Sequence, residues 1–168
     1  MKANTGSLRL YNVLFPIWIL IFFPQVLAIV IPGNLIVDAA VLLLALAAMH
    51  HRAKGAVLRR CWWKVWLLGF AADLIGAAWM VLGWLLATWL PGGAETLGKI
   101  MYNPFGHPLA LLWTAAGVAI AGGGIFLLDR RVFRSVPELT SRQSTRLALI
   151  FAIVTAPWLF FLPLYSLY

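Results

Sequence analysis

The chain has 168 residues, of which 63% are hydrophobic and only 11% charged, with a formal charge of +8. Apolar runs follow one another too closely for a water-soluble core fold, and the basic residues have no soluble fold to present them to nucleic acid. A single cysteine, Cys61, excludes an internal disulfide and any thiol oxidoreductase chemistry that needs a cysteine pair.

The expected fold is therefore all-α: a polytopic integral membrane protein forming one domain over 1–168, a bundle of about five transmembrane helices. The first span is expected over 10–31. Its apolar part, about 22 residues long, exceeds a signal-peptide core and lacks a small-x-small cleavage site, so it reads as a retained span. Pro32, Gly33 and Asn34 then read as a tight turn, with Asn34 capping a second span over 34–50 and the first two spans forming a hairpin.

The third span, over 65–90, carries its own depth scale. Trp62, Trp63 and Trp66 flank one end and Trp84 and Trp89 the other, as interfacial belts do. Trp66 and Trp84 are 18 residues apart, about 27 Å of helix against a hydrocarbon thickness of roughly 30 Å. PGG at 91–93 stops this span, and NPFGHP at 103–108 opens a fourth over 108–128. A fifth is expected over 146–164, kinked like the first by its prolines.

Lys and Arg distribution sets the expected orientation. Lys2, Arg9, Arg52, Lys54, Arg59, Arg60, Lys64, Arg130, Arg131, Arg134, Arg142 and Arg146 fall on one face of this topology, and Lys99 on the other. That asymmetry predicts a cytoplasmic N-terminus, a C-terminus outside, and anionic lipid headgroups as partners on the cytoplasmic side.

Within the third span, GFAADLIGAAWMVLG places Asp73 about 10 Å inside the inner tryptophan belt. Ionisable groups at such depth are costly and face the bundle interior or a partner, so Asp73 is the leading candidate for an ion or proton site. Gly69, Gly76 and Gly83, seven residues apart, form a small-residue stripe on the same helix. Ala115, Ala119 and Gly123 on the fourth span are expected to meet it. Asp38, read as lying in the first turns after Asn34, suits the helix dipole or a second ion site. On that reading it is some 10 Å shallower than Asp73, which permits a relay and forbids a compact dyad.

Candidate partners for Asp73 are Asn12, Asn34, Asn103, His107 and Thr114, with Asn12 and Thr114 favoured by depth. His50 and His51 suit a helix C-terminus, and no residue set has metal-ligand spacing, so no metal or cofactor is expected. GNLIVD at 33–38 resembles a motif of the lipoprotein signal peptidases, which would imply a hydrolase with two aspartates near the outer face. The resemblance covers six residues, and that family's asparagine-rich and second aspartate motifs are missing. No Ser, Thr or Cys nucleophile stands near a histidine either. Two classes remain: a transport or ion-conducting module, as a homo-oligomer or with a membrane partner, and a non-catalytic subunit of a larger membrane complex.

Overall fold

The structure is a computed structural model and describes residues 24–163. Its helices are α1 (Pro24–Ala48), α2 (Lys54–Trp89), α3 (Pro108–Arg134) and α4 (Ser141–Val154). Short 3-10 turns lie at Gly93–Glu95, Leu97–Met101, Pro104–Gly106 and Trp158–Phe161. No strand occurs among the described residues. Four segments, Val30–Ala48, Lys54–Trp89, Pro108–Arg134 and Ser141–Phe161, are long and apolar enough to cross a membrane. The chain is an all-α bundle of the membrane type. Residues 10–23 of the first expected span, with Asn12, lie outside the described residues.

The expected hairpin at 32–34 is corrected. Helix α1 runs unbroken through Pro32, Gly33 and Asn34, so Asn34 is not a cap and the first two expected spans meet in one helix. The physical reason lies in the flanks. A proline inside a helix leaves one carbonyl without its donor, whereas a turn between two apolar runs would strip several backbone groups of partners where no water can replace them.

Helix α2 begins 11 residues before the expected span and is 36 residues long, about 54 Å, so one end extends well past a hydrocarbon core of roughly 30 Å. Val57, Cys61 and Val65, spaced by four, are all buried and carry the core face back through the basic stretch. The Cys61 thiol donates to the Val57 carbonyl at 3.0 Å. At the other end Leu90 is extended and Gly92 turns the chain with φ 68°, a conformation open to glycine.

Helix α3 starts as the sequence predicts, with Pro108 in its first turn and the His107 ring Nδ1 accepting from the Leu109 amide at 3.1 Å. Helix α4 starts at Ser141 rather than 146, behind a reciprocal cap. Thr140 Oγ1 accepts from the Gln143 amide at 3.3 Å, and Gln143 Oε1 accepts from the Thr140 amide at 2.9 Å. It ends at Val154, short of the expected 164. Pro157 has no N–H for the carbonyl of Ile153, and the Trp158 indole N–H takes that carbonyl instead, at 2.7 Å.

The most extensive contact in the bundle joins α2 to α3. The Trp79 indole N–H donates to the Trp113 carbonyl and the Trp113 indole N–H to the Trp79 carbonyl, both at 3.0 Å. The two rings stack, with centroids 4.3 Å apart and planes 14° from parallel. Small residues let the backbones approach on either side: Ala72 lies against Gly124, and Gly76 against Ala121 and Gly117. Helix α1 packs on this pair through Leu42 and Leu46, in a cluster with Val57, Cys61, Phe133 and Phe151.

A methyl group added at Gly83 would collide with the Trp113 indole and with Ile100, whereas one added at Gly33 would meet open space. Gly83→Ala is expected to lower stability by about 1–3 kcal/mol by forcing the Trp79–Trp113 contact apart. Gly33→Ala should leave stability unchanged or raise it by up to about 1 kcal/mol. Denaturant unfolding in detergent measures both; equal effects would show that the α2–α3 contact does not constrain Gly83.

Candidate functional site

Three aspartates lie on three different helices of spanning length. Asp73 on α2 is half-buried, and its Oδ1 is buried with no hydrogen-bond partner. Asp38 on α1 reaches the same region: its Oδ2 lies 3.9 Å from the point where a Cβ on Gly69 would stand, one helical turn before Asp73. That places the two carboxyl groups about one helical turn apart. The expected 10 Å offset is therefore corrected. It assumed a helix starting at Asn34, but α1 is already helical at Pro24, 14 residues before Asp38, so Asp38 lies about 21 Å or more along the helix rather than in its first turns. The dipole role assigned to Asp38 falls with it.

Asp129 on α3 was not singled out from the sequence. It is 0% exposed, and neither carboxylate oxygen has a hydrogen-bond partner. Its neighbours in sequence, Arg130 and Arg131, make it look like part of a charged helix end. The available signal was spacing, because Gly122, Ile125, Asp129, Val132 and Phe133 recur at intervals that place all five on one buried face.

The other expected partners do not converge on Asp73. Thr114 is fully buried, but its Oγ1 has no partner and does not reach Asp73. The Trp79–Trp113 clasp sets this register: with 113 opposite 79, Thr114 comes opposite 78, about 7.5 Å further along α2 than Asp73. Asn103 and His107 belong to the connection between α2 and α3, at the far end of the bundle, where His107 caps α3. Asn34 is half-buried within α1.

The predicted packing faces divide. Gly76 and Gly83 are buried against α3, as the stripe implied, while Gly69 has only the Asp38 carboxylate near it. Ala115, Ala119 and Gly123 do not face α2, which is a correction. All three are exposed, and Gly117, Ala121 and Gly124 make the contact instead. The reason is again the Trp113 anchor, which turns the 117–121–124 face inward. The outward face lines an apolar groove of about 350 Å³ with Ala152, Ala156, Trp158 and Phe161, beside the early end of α4.

Among the described residues no group of three His, Cys, Asp or Glu side chains is placed to hold a metal ion. His51 joins the two short connections at the basic end: its Nε2 lies 2.9 Å from the Glu138 carbonyl, and its Nδ1 accepts from the Ala53 amide at 3.2 Å. Together these contacts put the ring proton on Nε2. Glu138 also receives Arg60 at 2.9 Å, the one salt bridge among the described residues.

No protein-family model matches this chain, and no curated protein or solved structure matches it. The six-residue resemblance to lipoprotein signal peptidases thus has no support beyond itself, and GNLIVD lies within α1. Functional argument rests on the chain's own chemistry.

The unpartnered Thr114 hydroxyl yields a direct test. Thr114→Val keeps the shape and removes a buried polar group, so stability is expected to hold or to rise by about 1 kcal/mol. Thermal and denaturant unfolding in detergent would read it; a loss of similar size would show that the hydroxyl has a partner in the membrane.

Proposed function

We propose that the chain is a small proton-conducting membrane module in which Asp38, Asp73 and Asp129 pass a proton between helices, working as a homo-oligomer or beside a membrane partner. The observation that supports this reading is Asp129: a fully buried carboxyl group on a spanning-length helix, with no hydrogen-bond donor at either oxygen. Uncompensated charge in such surroundings is costly, which favours an arrangement in which a proton is held and exchanged. Asp38 and Asp73 lie about one helical turn apart on packed helices, which places two proton acceptors near each other. A proton suits this site better than a metal cation, because the carboxylates are not gathered into a ligand cage. In this reading the basic end faces the cytoplasm, and Asp129 is the member of the set nearest to it.

Vesicles containing the reconstituted chain and an internal pH dye provide the test. An imposed proton gradient should collapse faster than in empty vesicles, and Asp129→Asn, which keeps size but cannot ionise, should slow the collapse about tenfold or more with folding preserved. No flux in the wild type, or full flux in Asp129→Asn, would sink the proposal.

A second reading, a non-catalytic subunit of a larger membrane complex, draws support from the exposed Ala115–Ala119–Gly123 face and its groove, since small residues at intervals of four suit close helix contact. Cysteine crosslinking from Ala119→Cys in native membranes distinguishes the outcomes. A product with a different protein would favour the subunit reading, a product with itself would favour a homo-oligomer, and no product would leave that face to lipid.

A further inference from the structure

Independently of any proton pathway, the basic end of the bundle presents a charge that its own acids leave uncompensated. Two acidic residues occur at that end among the described residues. Glu138 is engaged by Arg60 at 2.9 Å, and Asp129 is fully buried. Opposite them stand the last turns of α3 and the first turns of α4, joined by the connection at 135–140. Arg130 ties the two together by donating to Thr145 Oγ1 at 3.3 Å, with its guanidinium 5.9 Å from the Phe126 ring centre. Arg131, Arg134, Arg142 and Arg146 are all exposed, and among the described residues none of the four forms a salt bridge. These residues are more than ten positions apart in sequence at their extremes, and the antiparallel α3–α4 packing brings them to one end.

The level of this patch relative to a bilayer is marked by a neighbouring helix. Trp62 and Trp63 on α2 are exposed at 40% and 47%, and the Lys64 ammonium lies 5.7 Å from the Trp63 ring centre. Exposed indoles beside cations are characteristic of the headgroup layer, where an amphipathic ring has apolar chains on one side and water on the other.

We propose that the α3–α4 turn binds the phosphodiester headgroups of anionic phospholipids in the leaflet at the basic end, through Arg131, Arg134, Arg142 and Arg146. Guanidinium groups suit this ligand, since their planar donors pair with two phosphate oxygens at once, while a zwitterionic choline headgroup adds a cation that the arginines repel. The occupant is lipid rather than free phosphate, because the patch lies on helices whose apolar faces are already of membrane-spanning length.

The test uses the full chain in detergent, examined by native mass spectrometry with equal amounts of phosphatidylglycerol and phosphatidylcholine. The wild type should retain phosphatidylglycerol preferentially, and each arginine changed to glutamine should weaken that retention by roughly fivefold. Lys99→Gln, at the opposite end of the bundle, should leave it unchanged. Millimolar inorganic phosphate should not displace the lipid. Equal retention of the two lipids by the wild type, full retention by the fourfold arginine variant, or displacement by phosphate alone would each overturn the proposal. The wild-type lipid preference is decisive by itself should the fourfold variant misfold.

Discussion

The reciprocal clasp between Trp79 and Trp113 is the contact on which the rest of the bundle depends. Each indole satisfies a backbone carbonyl of the opposite helix while its ring stacks on the other, so translation of α3 along α2 would break two hydrogen bonds and a stack together. That register brings Gly124 over Ala72 and Gly117 over Met80, and it holds Thr114 away from Asp73. It also leaves Ala115, Ala119 and Gly123 pointing outward. A packing interaction near one end of the helix pair thus decides which polar groups can meet near its middle and which small residues remain available to another helix or to lipid.

Backbone satisfaction explains where the helices continue and where they stop. Pro32 and Pro157 are chemically the same interruption with opposite outcomes. At Pro32 apolar residues extend on both sides, and the helix continues through the missing donor. Near Pro157 the helix has ended at Val154, with the Thr155 hydroxyl donating to the Phe151 carbonyl at 2.9 Å and the Trp158 indole to that of Ile153. The Trp158 indole replaces the backbone donor that Pro157 lacks, while the Thr155 hydroxyl adds to the bond its own amide makes; the chain changes to a 3-10 turn, and the shortened α4 leaves the apolar groove beside α3.

Polar contacts tie the connections together at both ends of the bundle. At the basic end His51 from the 49–53 connection and Arg60 from α2 both engage Glu138, and at the other end Lys99 donates to the Gly106 carbonyl at 3.1 Å. Asp73 Oδ1, Thr114 Oγ1 and both oxygens of Asp129 are buried without a hydrogen-bond partner, as are single oxygens of Glu138 and Asn103 in the connections. Buried polar groups are ordinarily satisfied, and Asp129 stands apart because both of its carboxylate oxygens lack a donor.

Amino-acid order alone determined the helical class, the end of the third span and the start of the fourth, because hydrophobic run length and terminal signals are local: Pro108 opens α3, and PGG closes α2. It also singled out Asp73, since a carboxylate within an apolar run is conspicuous without any knowledge of its neighbours. It failed at 32–34, where local turn propensity was outweighed by the demand for paired backbone groups, and that error displaced Asp38 along its helix. It passed over Asp129, one residue beyond the expected end of the fourth span at 128, because burial depends on which side of α3 meets α2 and α4. Which small-residue face is inside, and which aspartates are neighbours, could be decided only in three dimensions. Both are set by helix rotation and register, and those follow from a contact between Trp79 and Trp113, residues 34 positions apart.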